Sequence, residues 1–237
     1  MKNLALNLGI ARAKGSPRPL DPPVSSAAGA SATTPELKKA VLDRDQGVCQ
    51  CCGFKADKYQ DVHCIDQNPK NLSMNNLATV CIFCHQCFNL DQATLMRSGV
   101  LVWLPEVPQA DLHHIMRAVY VARISQGPMA ESARATLDAL MARREEARRR
   151  IKTDDPYVLS TVLKDFLTGR YYAERFERLE GIRLLPLDRR LIKEADLEFN
   201  QFPQILAYWR SKDGPFGTRA PTLWTNLYKN ALKQLDE

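Results

Sequence analysis

The sequence predicts a mixed α+β fold, with a small cysteine-bearing domain first and a mainly helical C-terminal half after it. Three observations predict it. All seven cysteines fall between positions 49 and 87 of the 237 residues. An apolar run, Gly99 to Val107 (GVLVWLPEV), is closed by prolines and reads as a buried strand. Beyond it, apolar residues recur at helical spacing: Leu112, Ile115, Met116 and Val119, then Leu137, Leu140 and Met141, then Val158, Leu159, Val162, Leu163 and Phe166.

Taken in chain order, residues 4–12 suit a short strand. They suit it better than a secretory leader, because Asn3 and Asn7 interrupt the apolar residues. From Gly15 to Thr34 the chain is Gly, Ser, Pro, Ala and Thr with almost no large apolar residue after Leu20, the composition of a flexible linker or loop. Thr34 then stands before Pro35 and Glu36, an N-cap followed by a first-turn proline, and Leu37, Ala40 and Val41 give that helix an apolar face to about Asp45. Asp154 or Asp155 before Pro156 caps the third helix of the C-terminal half, and Gly169 is its expected stop. Residues 171–180 and 187–199 are expected as further helices, separated by Gly181 to Pro186. A last helical segment, 221–235, follows the break at Gly214 to Gly217. The expected divisions are 1–14 (N-terminal strand), 15–34 (linker), 35–107 (cysteine domain) and 108–237 (helical region).

With 45% hydrophobic and 25% charged residues, the chain has enough apolar material to bury a core and is not a disordered tail. A formal charge of +6 permits contact with nucleic acid or an anionic membrane surface and suits an acidic protein partner equally well. No apolar run approaches the roughly 18 residues that span a bilayer, so direct membrane insertion is not expected. Disulfides would be spread through a secreted domain of this length, whereas a tight cluster points to metal in a reducing compartment, the cytoplasm.

The cysteine pattern is Cys49-x2-Cys52, twenty-eight residues, then Cys81-x2-Cys84. Each pair can wrap one edge of a tetrahedral zinc ion, and four thiolates close its shell, leaving no open position for substrate. Gly53 directly after the first pair allows the tight turn that brings backbone amides to sulfur. Cys51, Cys64 and Cys87 compete as ligands. Cys51 is expected to point away from the ion, and Cys84-x2-Cys87 leaves a shifted set open. One structural zinc on Cys49, Cys52, Cys81 and Cys84 is the expected cofactor; a site of this kind is worth on the order of 10 kcal/mol of folding free energy.

Between the pairs lie DVHCID (Asp61 to Asp66) and NNL (Asn75 to Leu77), and His85 follows Cys84. This order resembles the zinc-containing HNH nucleases. The resemblance implies an HNH-like, ββα-type zinc domain over 35–107, with His63 and His85 on a catalytic divalent metal and Asn76 orienting a base at position 64. That position holds Cys64. A thiol with a pKa near 8.5 is a poor substitute for imidazole as a base at neutral pH. An enzyme is therefore not expected; an HNH nuclease with an altered base is the runner-up, and a zinc-dependent nucleic-acid-binding module the third reading.

A closer resemblance runs from about residue 36 to 190. RDQGVCQCCGFKADKYQDV (Arg44 to Val62), NNLATVCIFCHQCF (Asn75 to Phe88), LVWLPEVPQADL (Leu101 to Leu112) and IRLLP (Ile182 to Pro186) together resemble the IcmJ/DotN family of the Dot/Icm, or type IVB, secretion system. The resemblance implies a non-catalytic, cytoplasmic zinc adaptor held peripherally at the inner membrane through the coupling complex. It would bind an extended cytoplasmic segment of the type IV coupling ATPase (DotL-like), beside other coupling-complex subunits, in support of effector export. Nucleic acid is not an implied partner. The chain departs from the family pattern in its 15–34 insert, in about forty residues after 195, and in carrying His63 and His85.

Other features have simpler readings. The basic run Arg143 to Lys152 suits a helix C-terminus with local Glu145 and Glu146 pairs. His113 and His114 point about 100° apart on a helix, so they are expected as packing or solvated residues rather than ligands of one metal. Trp103 is expected in the core. Trp209, Trp224 and Tyr228 are expected as packing residues, with a partner groove as the functional reading. No phosphate-cradling glycine loop or nucleophile elbow is present.

Overall fold

The structure, a computed structural model, describes residues 4–10, 33–68, 70–167 and 169–235. Most of the expected 15–34 linker lies outside the described residues. Residues 4–10 run extended without joining a ladder, in place of the expected strand. Three backbone bonds pin them: Leu4 N–H to Gln50 O (2.9 Å), Gly9 N–H to Cys87 O (2.8 Å) and Leu90 N–H to Gly9 O (3.0 Å).

Helix α1 (Pro35–Arg44) starts as its sequence predicts, with the Thr34 hydroxyl accepting from Leu37 N–H at 3.3 Å. Its buried Val41 packs with Val62 and Leu77 on the hairpin of β1 (Gln60–Cys64) and β2 (Leu77–Cys81). That hairpin is antiparallel, with Gln60 opposite Cys81 and Cys64 opposite Leu77. Helix α2 (Ile82–Phe88) follows β2 without a loop, and α3 (Leu90–Leu95) follows α2.

Strand β3 (Gly99–Trp103) occupies the first part of the expected strand. Its partner is β4 (Ile182–Pro186), the IRLLP segment, which reads from sequence as a break between helices. Leu101, Val102, Leu184 and Leu185 are fully buried in this pair. Gly181 enters β4 at φ +81°, and a Cβ there would lie 2.4 Å from the Trp103 ring, so only glycine fits.

The helices α4 (Gln109–Arg123), α5 (Pro128–Ala142) and α7 (Pro156–Thr161) match the three expected periodic segments, and α6 (Arg144–Ile151) carries the basic run as a helix of its own. Asp155 caps α7, and a π turn (Val162–Phe166) continues it. Gly169, the expected stop, opens α8 (Gly169–Ala173) instead, and α9 (Arg175–Arg178) follows after a break at Glu174. In α6, Glu145 pairs with Arg148 and Glu146 with Arg149 and Arg150, while Arg144 and Arg148 share Asp154. The basic run is thus largely neutralised within its own helix and its exit.

One expected helix is a hairpin. Within 187–199 the chain forms β5 (Leu191–Glu194) and β6 (Leu197–Asn200), antiparallel, turning at Ala195 with φ +53°. The helix-favouring residues Leu191 to Glu198 bury only Ile192, too little apolar surface to hold a helix face. Helix α10 (Phe202–Arg210) and, after a 3-10 turn, α11 (Trp224–Leu235) complete the described chain.

Helix α10 corrects the groove reading of Trp209. Phe202, Ile205 and Trp209 enter the main core with Val80, Phe83, Leu112, Met116 and Tyr120. Trp209 is 1% exposed, and its ring meets Phe83 edge-on at 5.7 Å and Phe54 at 5.9 Å. Trp224 packs on Phe216 while Tyr228 is exposed. Trp209→Ala is expected to lower stability by about 3–5 kcal/mol, measured by urea unfolding. An unchanged midpoint would mean that Trp209 is a surface residue.

Candidate metal centre

The first cysteine pair sits on a turn closed by Cys49 N–H to Phe54 O and Gly53 N–H to Cys49 O, both 2.9 Å. Gly53 takes φ +74°, the left-handed conformation expected of it. The second pair straddles the β2–α2 junction. Cys81 is the N-cap of α2, and its sulfur accepts from Cys84 N–H at 3.4 Å.

These two pieces bring the sulfurs of Cys49, Cys52, Cys81 and Cys84 together. Among the described residues they form the one group of three or more ligating side chains whose donor atoms all lie within 4.8 Å of one another. Cys52 and Cys81 sulfurs are 3.8 Å apart. A tetrahedral ion with sulfur bonds of roughly 2.3 Å sets its ligands roughly 3.8 Å apart, so the set fits such an ion. Hydrogen bonds from Cys51 and Cys52 pull the Cys49 thiol well below its usual range, while burial pushes Cys81 and Cys84 up. A divalent cation bound there would displace thiol protons.

The other three cysteines fall outside the set. Cys51, between the first pair, is not one of the four sulfurs that lie together, and the neighbouring Cys49 pushes its thiol pKa up. Cys87 is fully buried, its sulfur pointing to Phe83 O at 3.7 Å, and burial raises its pKa. Cys64 lies at the end of β1, where burial and then the Asp66 charge raise its pKa, away from what a base requires.

The residues assigned to nuclease chemistry by the HNH resemblance are occupied elsewhere. His63 stacks on Phe88 with centroids 4.1 Å apart, and burial lowers its pKa to about 3. His85 lies 6.2 Å from His63 between ring centroids, with Nδ1 3.6 Å from Asp61, which also binds Lys38 at 3.1 Å. Asn76 spends its amide on the loop before β2. Its oxygen accepts from Asp66 N–H at 3.0 Å, and its nitrogen donates to Asp66 Oδ1 and Asn71 O, both at 2.8 Å.

Helix α4 brings four polar side chains to the sulfurs that no cysteine spacing reveals. His114 Nε2 lies 2.7 Å from Cys52 O. His113, buried, places Nδ1 3.3 Å from Cys84 Sγ. Arg117 places Nη2 2.7 Å from Cys81 Sγ, and Gln109 contacts His113 at 2.8 Å. His113 is buried and His114 exposed, one packing and one solvated as expected, and both lie beside the cysteine group. A signal was available: Gln109, His113 and Arg117 repeat at i, i+4 and i+8 beside the apolar stripe of Leu112, Met116 and Tyr120.

Fold and site thus define an α+β protein in which four cysteine sulfurs lie together and could hold one metal ion. No family model matches the chain. It is 29% identical over 164 residues to the Type 4 apparatus protein DotN of Legionella pneumophila, an alignment covering 67% of this chain and 76% of DotN. That similarity agrees with the resemblance of the cysteine-bearing segments to the IcmJ/DotN family.

His63 supplies a pH test of this geometry. Unfolded, it titrates near its ordinary 6.5; folded, near 3. Between those values the unfolded chain binds the extra proton, so the His63 contribution is complete above pH 6.5 and is lost as pH falls toward 3. From pH 7 to pH 5 the loss is about 2 kcal/mol. The wild type is expected to lose that much more unfolding free energy over this interval than His63→Phe; equal losses would mean that His63 takes up its proton in the folded state.

Proposed function

We propose that this chain is a zinc-stabilised, non-enzymatic adaptor of a type IVB secretion coupling complex. It binds an extended cytoplasmic segment of the coupling ATPase, and through that complex it sits peripherally at the inner membrane and supports effector export. The observation that carries the proposal is the relation to DotN, a type 4 apparatus protein, aligned over a span that includes most of the structure. Two features of the site support it. A four-sulfur set closes around its ion and leaves no position for substrate, which suits scaffolding. His63, Cys64 and Asn76 are committed to stacking, burial and a loop, which suits a frame kept for its shape. Among the described residues no helix is long and apolar enough to cross a membrane, in keeping with attachment through partners.

Rigid scaffolding follows from the chemistry. Zinc would join the turn at Cys49–Cys52 to the β2–α2 junction, and the grooves between this domain and the helices would accept an extended or helical segment. The test is a binding titration of the zinc-loaded chain with the cytoplasmic tail of its cognate coupling ATPase. Stoichiometric binding, abolished in the Cys81→Ser, Cys84→Ser double variant, is expected; no binding at tens of micromolar would overturn the adaptor. Magnesium-dependent DNA cleavage that vanishes in His63→Ala would establish the nuclease in its place.

A further inference from the structure

A divalent ion on four thiolates carries a net charge of −2, and Cys49, Cys81 and Cys84 are 0–1% exposed. Buried charge must be met by opposite charge or by hydrogen bonds. Arg117 has the complementary problem. It is 1% exposed, its guanidinium cannot shed its proton, and among the described residues no carboxylate lies within ion-pair distance of it. Its Nη2 lies 2.7 Å from Cys81 Sγ and 3.8 Å from Cys52 Sγ. The guanidinium carbon stands 3.9 Å over the Phe54 ring and 5.1 Å from that of Phe83, and Nε and Nη1 have no hydrogen-bond partner. The anions that justify burying this cation are the sulfurs.

One turn earlier, the hydrogen-bond pattern determines which nitrogen of His113 carries its proton. Gln109 accepts from Leu184 N–H at 2.9 Å and donates to Leu184 O at 2.8 Å, two bonds that orient its amide against β4. Its remaining amide hydrogen faces His113 Nε2 at 2.8 Å, so Nε2 accepts. Nδ1 therefore holds the proton and donates to a lone pair of Cys84 Sγ at 3.3 Å.

We infer that Gln109, His113 and Arg117 form the outer shell of the metal centre. Arg117 is the counter-ion that permits a doubly negative centre to be buried. His113, held in one tautomer by Gln109 and the β4 backbone, is an oriented donor to Cys84. The inference rests on the metal reading of the four cysteines. Donors to sulfur withdraw electron density from it, so the thiolates become less reactive and the ion less exchangeable. These are positioning residues: they act on the ion through its ligands.

The test uses the full chain loaded with zinc or with cobalt as a spectroscopic substitute. Arg117→Met keeps the stem between Phe54 and Phe83 and removes the charge; Arg117→Lys keeps the charge. Arg117→Met is expected to weaken zinc about 10- to 100-fold in competition with a chelator and to move the sulfur-to-cobalt charge-transfer band to lower energy, with Arg117→Lys restoring most of both. His113→Phe is expected to shift both readouts in the same direction, and it decides the matter should Arg117→Met not fold. Unchanged affinity and band position in these variants would overturn the outer shell while leaving the metal centre standing. A wild-type chain that takes up neither cobalt nor zinc would overturn the metal reading itself.

Discussion

Four sulfurs from two short pieces of chain meet at one point, and most of the N-terminal architecture can be traced outward from that meeting. The ladder of β1 and β2 ends with Gln60 opposite Cys81, and the same residue caps α2. The turn at Cys49–Gly53 is closed by its own backbone, and Gln50 N–H reaches Thr79 O on β2 at 2.8 Å, so the two cysteine pairs are joined by protein as well as by any ion. Metal binding of this type contributes on the order of 10 kcal/mol, comparable with the whole stability of a domain. A geometry that excludes Cys51 and Cys87 from the set thus decides far more than a coordination number.

The same centre reaches into the second half of the chain through α4. Arg117 lies between the sulfurs and two aromatic rings, and those rings, Phe54 and Phe83, also meet Trp209 of α10. Gln109 links the histidine beside Cys84 to the backbone of β4. The boundary at residue 107 suggested by composition is therefore crossed by one continuous core, in which Val80 and Cys84 share a cluster with Met116 and Trp209.

What the sequence made legible was local. The Thr34 cap, the glycine turn after Cys52, the cysteine spacing and the helical periods of α4 and α5 each depend on residues a few positions apart, and each is found in the structure. What it concealed depends on distant pairing. IRLLP becomes a strand only because Gly99–Trp103 lies beside it, and the Leu191–Asn200 hairpin overrides good helix formers because its helical face would have little to bury. Trp209 shares an apolar face with Phe202, Ile205 and Leu206 of its own helix, but what that face meets, the rings of Phe83 and Phe54, comes from distant parts of the chain. Arg117 was hidden for a related reason: one arginine in a basic chain carries no mark of burial until the sulfurs appear beside it.

The pairing of β3 with β4 also bears on how the chain is made. Trp103 opposes Ile182, 79 positions later (182 − 103), and between them lie α4, α5, α6 and α7. A ribosome delivers β3 well before its ladder partner β4, so for several seconds of synthesis at ordinary rates a buried, apolar strand has an open edge. Open apolar edges recruit other chains. During that interval the two faces of β3 are covered in turn: Val102 shares its core with Leu112 and Met116 of α4, while Leu101 packs with Leu90 of α3, already made, and with Ala147 of α6 and Leu159 of α7, which come later.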